Sequence, residues 1–353
     1  MEEMMKEEGG GKRYCVSGGS GYIGSSLVGA LLNAGHTVHA TFRDPGKSVQ
    51  LLSVWRNSDR LRLFQADLGE EGSFDDAVQG CDGVFHVAAS MQFNLLPHQQ
   101  NHNIEAHVEE NIIKPAIEGV TNLLKSCLKS KSVKRVVFTS SISTITAKDS
   151  NDKYKGIVDE SCQIQTQQVW KTKASGWVYA LSKHLTEEAA FQFAKHNGID
   201  LLSLITSTVA GPFFTASVPS SLQLLLSPIT AQTEYFDILC AVNSRMGSIA
   251  LVHIEDICRA HIFLMDNAKA QGRYICCTQT CSFSNFLNLL FRHYPSSNLM
   301  HRITEENHNK VGSEISSKKL KDLGFRYKHG LEDIIRQTIL CCLDYGYLPP
   351  IIH

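Results

Sequence analysis

The sequence predicts an α/β fold, a doubly wound parallel sheet followed by a smaller C-terminal lobe. Three observations predict it. Short β-branched runs alternate with helical patterns from Tyr14 to Ile205. The first of those runs ends in a glycine-rich turn that opens a helix. After Gly211-Pro212 the alternation gives way to shorter segments, richer in Ser and Pro. At 353 residues the chain also exceeds the roughly 250–300 residues at which single cores stop growing, which leaves room for a second lobe.

Taken in order, Tyr14-Cys15-Val16 is a strand core and Tyr22 to Asn33 a helix. Thr37 to Phe42 is a second strand, Leu61 to Phe64 a third, and Gly83 to Val87 a fourth. Ile112 to Leu128 is a long amphipathic helix, Arg135 to Phe138 a fifth strand, Ala174 to His196 a helix, and Ile199 to Ile205 a sixth strand. Helices between successive strands supply the crossovers that parallel pairing needs, so the sheet carries helices on both faces. Leu251-Val252-His253 with the helical Glu255 to Met265 returns toward the main sheet, and the rest through Leu348 is a small helical lobe. The expected division is a disordered tail at 1–11, a dinucleotide-binding domain at 12–211 with a return segment near 250–266, and a substrate lobe over most of 212–353.

Composition narrows the classes. A formal net charge of -1, with 43% hydrophobic and 20% charged residues, is ordinary for a globular chain. It gives no electrostatic reason to expect nucleic acid or a membrane surface as partner. No apolar run approaches the ~18–20 residues of a spanning helix. The opening MEEMMKEEGGGK lacks a basic start and an apolar stretch, so the expected compartment is the cytosol. The 11 cysteines, an odd number, argue against a disulfide framework. Cys276, Cys277 and Cys281 lack paired C-x-x-C spacing and are expected as packed or surface thiols, with no metal site.

The segment Val16-Ser17-Gly18-Gly19-Ser20-Gly21-Tyr22-Ile23-Gly24 sets Gly18, Gly21 and Gly24 in GxxGxxG spacing. Glycines permit a tight turn and close backbone approach to a pyrophosphate, and the helix that follows offers free N–H groups and a positive dipole end. A glycine triplet alone is weak; between a strand and a helix it has the context that dinucleotide binding requires. The second strand ends Thr41-Phe42-Arg43-Asp44-Pro45. An acid here holds a ribose 2′-hydroxyl, whereas the guanidinium of Arg43, assisted by Lys47, suits a 2′-phosphate, so NADPH (and NADP+) is the expected cofactor. Asp44, if it points inward, keeps the opposite reading open. Asp67 either accepts from an adenine amino group or caps its own turn. His86-Val87-Ala88-Ala89 ends the fourth strand, where small residues let the backbone pass close to the cofactor. His86 is read as a packed histidine in preference to a general base.

Tyr179 and Lys183 form Y-x-x-x-K in a helical run, so the two share one face. A tyrosine of ordinary pKa ≈ 10 is a poor acid near neutrality; an ammonium beside it stabilises the phenolate and can also hold the nicotinamide ribose. The spacing alone also fits an exposed amphipathic pair. Thr139-Ser140-Ser141 changes the odds, because it ends the fifth strand, where ligands of open α/β sheets bind. A serine hydroxyl there can polarise a substrate carbonyl.

With these motifs the sequence resembles the plant dihydroflavonol reductase/anthocyanidin reductase group of the extended short-chain dehydrogenase/reductases, which also holds vestitone reductase and cinnamoyl-CoA reductase. The resemblance runs from about Lys12 to Leu348 and includes Ser17 to Ser25, Thr41 to Pro45, Gly83 to Ala88, Ile113 to Gly119, Ser130 to Ser141, Gly211-Pro212-Phe213, Pro219 to Leu222, Val252 to Asp256 and Gly272 to Cys276. It implies a Rossmann-type fold and NADPH-dependent reduction of a carbonyl or flavonoid-type small molecule. It implies Ser141, Tyr179 and Lys183 as the catalytic triad. It implies cofactor contacts from Gly18, Gly21, Tyr22, Ile23, Gly24, Arg43, Lys47, Asp67, Leu68, Val87, Ala88, Thr206, Val209 and Ser221, besides Tyr179 and Lys183.

The sequence also departs from that group. Thr206 stands where the group usually has proline, and Thr146 where dihydroflavonol reductases often have asparagine. Phe93 to Ile112 is longer than the group's segment and carries His98, His102 and His107; the insertion at 94–111 reads as a solvated loop bordering the pocket mouth. Gly176-Trp177-Val178-Tyr179 replaces the cinnamoyl-CoA reductase stretch, which argues against a CoA thioester. The expected substrate is aromatic or polycyclic, seated against Met91, Phe93, Phe213, Phe214 and Leu225. Two other functions stay open: a nucleotide-sugar epimerase retaining NAD+, and a catalytically idle NADP-binding regulator.

Overall fold

The computed structural model describes residues 11–47, 53–55, 58–89, 104–149, 151–295 and 312–350. Residues 1–10 of the expected N-terminal tail, the Lys47 side chain, Met91, Phe93, His98 and His102 lie outside them. Strands β1 (Arg13–Ser17), β2 (Thr37–Phe42), β3 (Leu61–Gln65), β4 (Gly83–His86) and β5 (Arg135–Ser141) alternate with helices, and after the two-residue strand β6 (Ile157–Val158) come β7 (Asp200–Thr206), β8 (Thr208–Ala210), β9 (Ile249–His253) and β10 (Gly272–Cys276). Seven of these form one sheet in the order β10-β7-β5-β4-β1-β2-β3, and every pair in it is parallel. The direction of strand order reverses between β1 and β4, which opens a crevice beyond their carboxyl ends.

Neighbouring strand residues divide between two cores, as a pleat with period two requires. Tyr14, Val16, Phe85 and Val137 pack with Leu27, Val28 and Leu31 of α1 (Tyr22–Asn33) on one face. Cys15, Val84, Val136 and Phe138 pack with Val120, Leu123 and Leu124 of α2 (Lys114–Ser130) and Ala190 of α3 (Trp177–Asn197) on the other. All of these residues lie between 0% and 2% exposed, so each large one contributes about 1.5–3 kcal/mol of burial.

The C-terminal lobe gathers helices α4 (Ser220–Thr230), α5 (Thr233–Met246), α7 (Phe283–His293) and α8 (Leu331–Asp344) around a second core, whereas α6 (Ile254–Asp266) packs elsewhere. Strand β9 pairs with β8 and with β11 (Gln279–Cys281) in a separate three-stranded sheet, and β12 (Glu314–Ile315) pairs with β6. This corrects one expectation. The helix after Leu251-Val252-His253 does pack on the main sheet, through Ile257, Ala260 and Leu264. The strand itself is held away by β8, and the seventh strand is β10, which α6 delivers to the open edge of β7.

Two helix starts also differ from the sequence reading. Helix is already present at Ile104–Val108, ahead of Ile112, and passes through a π-helical turn at Glu109–Ile113 before α2. Pro115 has no N–H for the carbonyl of Asn111 and crowds it, which a widened turn relieves. Helix α3 begins at Trp177, not Ala174, because Gly176 takes a left-handed φ of 78° at its N-cap. Among the described residues no helix is long and apolar enough to cross a membrane.

Candidate active site

Backbone geometry explains the glycines. Gly18 has φ +68°, and a Cβ there would lie 2.9 Å from Ala88 Cα. A Cβ on Gly24 would lie 2.1 Å from the Gly18 carbonyl oxygen. Gly21 N–H donates to Gly18 O at 3.0 Å, which closes the turn into α1. Tyr22 begins that helix and donates its hydroxyl to Gly211 O at 3.0 Å, tying the loop to the C-terminal lobe. Ile23 packs against the core under α1. The backbone thus closes tightly at the start of α1, with no room for a Cβ at Gly18 or Gly24, a turn that fits a pyrophosphate.

Ser17, unremarked in the sequence, organises the opposite wall. Its Oγ accepts from the Val87 and Ala88 N–H groups at 3.0 and 3.1 Å. Its own proton then goes to His86 Nδ1 at 2.8 Å, so His86 carries its hydrogen on Nε2. Burial, with the Lys183 charge, pushes His86 down to about 3, so it stays neutral at working pH and is a weak proton acceptor. Arg43 is exposed at the end of β2. Asp44 turns to its own loop, accepting from Gly46 N–H at 2.9 Å. Asp67 likewise accepts from Gly69 N–H at 2.9 Å, the turn-capping alternative. Leu68 packs over Gly119, and its carbonyl accepts from Asn122.

At the carboxyl end of β5 the three catalytic candidates converge. Tyr179 is hydrogen-bonded to Ser141. Ser141 Oγ also accepts from Ser143 N–H at 3.2 Å, which fixes its rotamer. Lys183, one turn along α3, donates to the Thr139 carbonyl at 3.0 Å and lies 5.2 Å from the Phe138 ring centre. Burial lowers Lys183 to about 8, with Glu187 partly opposing. Burial also raises Tyr179, opposed by the Ser141 hydrogen bond and the Arg245 charge. Thr206 pairs with Ser141 across the strands and donates its hydroxyl to Ser140 O at 3.1 Å. Val209 is buried in β8, and its carbonyl accepts from Ser221 Oγ at 2.8 Å.

This geometry has relatives. Residues 14–277 match the NAD dependent epimerase/dehydratase family. The chain is 41% identical to dihydroflavonol 4-reductase of Arabidopsis thaliana, over 95% of this chain and 83% of that protein. It is 42% identical to a putative anthocyanidin reductase of Ginkgo biloba, over 92% of each. Vestitone reductase from alfalfa (Medicago sativa) superposes with a TM-score of 0.77 at 30% identity, covering 96% of this chain and 100% of that one. The chain belongs to the NAD-dependent epimerase/dehydratase family. Within it the chain falls in the dihydroflavonol reductase/anthocyanidin reductase group.

Other features of this family member were not legible in the sequence. Glu187, 3% exposed, is gripped by Arg273 of β10 at 3.2 and 3.0 Å and also accepts from Ser203. Thr139 donates to His261 Nε2 at 2.8 Å, since His261 Nδ1 is committed to the Ile257 carbonyl. Arg245 reaches the site from the last turn of α5. Thr146 accepts from Lys148 N–H within its own turn.

The proposed apolar lining needs correction. Phe213 and Leu225 are buried in the core of the C-terminal lobe. Phe214 is 61% exposed and borders a groove of about 480 Å³ with Trp55 and Arg259, a groove that includes none of Ser141, Tyr179 and Lys183. Cys276, Cys277 and Cys281 are packed thiols; burial raises all three, Cys277 to about 11 and Cys281 to about 12. His107 lies in the helix from Ile104, beside Asn111. His253, Glu255 and His329 bring potential ligand atoms within 4.8 Å. His253 Nδ1 accepts from Glu255 N–H, His329 Nε2 bonds a Glu255 carboxylate oxygen at 2.7 Å, and the two imidazole rings lie 3.7 Å apart, tilted by 30°.

Proposed function

We propose that this chain is an NADPH-dependent reductase of a carbonyl or flavonoid-type small molecule, acting through Ser141, Tyr179 and Lys183. The observation that carries the reading is the Ser141–Tyr179 hydrogen bond at the carboxyl end of β5, with Lys183 buried one turn away. Bound along the strand ends, the dinucleotide supplies a hydride. The glycine turn through Gly18, Gly21 and Gly24 offers backbone amides to its pyrophosphate, with Tyr22 and Ile23 starting the helix. Arg43, exposed and without an ion pair among the described residues, suits the 2′-phosphate, with Lys47 beside it in sequence. The commitment of Asp44 to its own turn supports a 2′-phosphate over a free 2′-hydroxyl. Asp67, Leu68, Val87, Ala88, Thr206, Val209 and Ser221 complete the cofactor-side residues of this reading.

At the reacting oxygen Ser141 donates a hydrogen bond and polarises the carbonyl. Tyr179 transfers its proton to that oxygen as the carbon is reduced. Lys183, tethered by Thr139, stabilises the phenolate left behind and regains its partner when the proton returns from solvent. The substrate lobe is the part built mainly from 212–353, and an aromatic or polycyclic substrate suits the group to which the chain belongs. Eleven free cysteines support a reducing compartment such as the cytosol.

The test is NADPH absorbance against dihydroflavonols, aromatic aldehydes, and steroid and alkaloid ketones. NADPH-dependent reduction of at least one member is expected. Purified protein that retains NAD+ and never consumes NADPH would sink the reading in favour of an epimerase. Tight NADPH binding without oxidation across the panel would make it an idle binding protein.

A further inference from the structure

A half-buried cation with no carboxylate partner among the described residues stands within electrostatic reach of the catalytic tyrosine. Arg245 occupies the last turn of α5. Its neighbours Val242 and Met246 pack on Ile142, Ile145 and Ile205, the residues that flank Ser141 and Thr206 at the strand ends. That packing brings the guanidinium within electrostatic reach of the Tyr179 phenol. The Arg245 Nε is buried and has no hydrogen-bond partner among the described residues. No carboxylate among them pairs with the side chain either, whereas Arg273, Arg135 and Arg259 each have one.

The other groups around the phenol deepen the charge imbalance. Lys183 is a second cation, itself buried, His86 is neutral, and Glu187 is taken by Arg273. A helix C-terminus favours a cation in its last turn. That accounts for a basic residue on α5, and leaves the unpartnered Nε unexplained. Burying a guanidinium donor without an acceptor is costly, and such a site is relieved by a ligand oxygen, best of all an anionic one that accepts from two donors of the fork.

We propose that Arg245 is a substrate-binding residue of this cleft and holds an anionic oxygen carried close to the carbonyl that is reduced. This rests on the reductase reading for the word substrate, and on the unbonded Nε and the packing of α5 against the strand ends for the anion site. The ligand class is an aromatic carbonyl compound bearing a carboxylate or an acidic hydroxyl on a neighbouring carbon. The residue confers specificity, since it adds nothing to the proton transfer itself.

The test separates the two claims. Calorimetry on the full chain loaded with NADP+ compares 2-hydroxybenzoate with its neutral counterpart 2-hydroxybenzamide. The wild type binds the anion at least about 10-fold tighter, the scale of one charge-assisted hydrogen bond. Arg245→Gln abolishes that preference, Arg245→Lys keeps part of it, and Tyr179→Phe keeps all of it, whether or not Tyr179 is the proton donor. Unchanged NADP+ affinity and melting temperature in the Arg245 variants certify the fold; should Arg245→Gln fail to fold, Arg245→Lys read against the wild type still reports the fork. An equal preference in wild type and Arg245→Gln overturns the proposal. So does a loss of turnover that is the same for charged and neutral substrates and shifts the pH profile, because Arg245 would then act only through Tyr179.

Discussion

Replacing Ser17 by alanine removes one oxygen and strands three partners. The Ser17 hydroxyl is fully buried and receives the Val87 and Ala88 amides while donating to His86 Nδ1. His86 is 3% exposed, so its lost bond costs the full desolvation of a ring nitrogen, about 1–3 kcal/mol. Val87 and Ala88 are only partly buried, and water can reach their amides, so each costs about 1 kcal/mol. The sum is roughly 3–5 kcal/mol, and the alanine adds no cavity larger than the missing oxygen. The loop so released is the one that meets Gly18, where a Cβ would touch Ala88. Urea denaturation should therefore show a loss of about 3–5 kcal/mol, and fluorescence titration should show NADPH binding weakened at least about 10-fold. A loss below about 1 kcal/mol with unchanged NADPH affinity would refute the idea that this hydroxyl holds the cofactor wall together.

Arg43→Ala should weaken NADPH by at least about 10-fold and leave NADH nearly unchanged in the same titration, the difference of one charge-assisted phosphate contact; equal losses for both would remove Arg43 from the phosphate site. Lys183 sits near 8, and its ammonium is the active form, so kcat/KM should fall as pH rises through about 8; a flat profile to pH 10 contradicts that role. For stability the sign is opposite: folding disfavours the charged Lys183, whose pKa falls from 10.5 to about 8, so this group's cost is present below pH 8 and fades as pH rises from 8 toward 10.5. Arg273→Leu leaves the Glu187 carboxylate buried without its partner, a cost of about 3–5 kcal/mol; calorimetry should show Tm lower by at least about 5 °C, and a smaller drop means that Ser203 and water suffice for Glu187.

Much of this site was legible because it is local. The glycine turn shows in sequence since only glycine tolerates the left-handed φ at Gly18 and the close contact at Gly24. Tyr179 and Lys183 announce their shared face by a spacing of four, and Ser141 by its place at a strand end. Both faces of the sheet are buried, which is why its strands carry continuous apolar stretches such as Val136-Val137-Phe138. What escaped was set by distance along the chain. Nothing near Gly272–Cys276 says which edge it joins; α6 decides that by where it crosses. The continuation of helix from Ile104 into α2 depended on how Pro115 is accommodated, a choice between a break and a widened turn. Ser17 reads as a strand residue until the loop after β4 folds onto it, and Arg245 reads as one more basic residue at a helix end until α5 swings it to Tyr179. Phe213 and Leu225 were apolar residues in a plausible place, and a second core claimed them.

The convergence of Ser141, Tyr179 and Lys183 is tested most directly by Tyr179→Phe, assayed for NADPH turnover and for NADPH affinity on the same preparation. The account predicts turnover lower by about 10²–10⁴-fold, the usual worth of a positioned general acid, with cofactor affinity nearly intact. Turnover within a few-fold of the wild type would show that the proton comes from elsewhere and that the hydroxyl beside Ser141 is a structural contact.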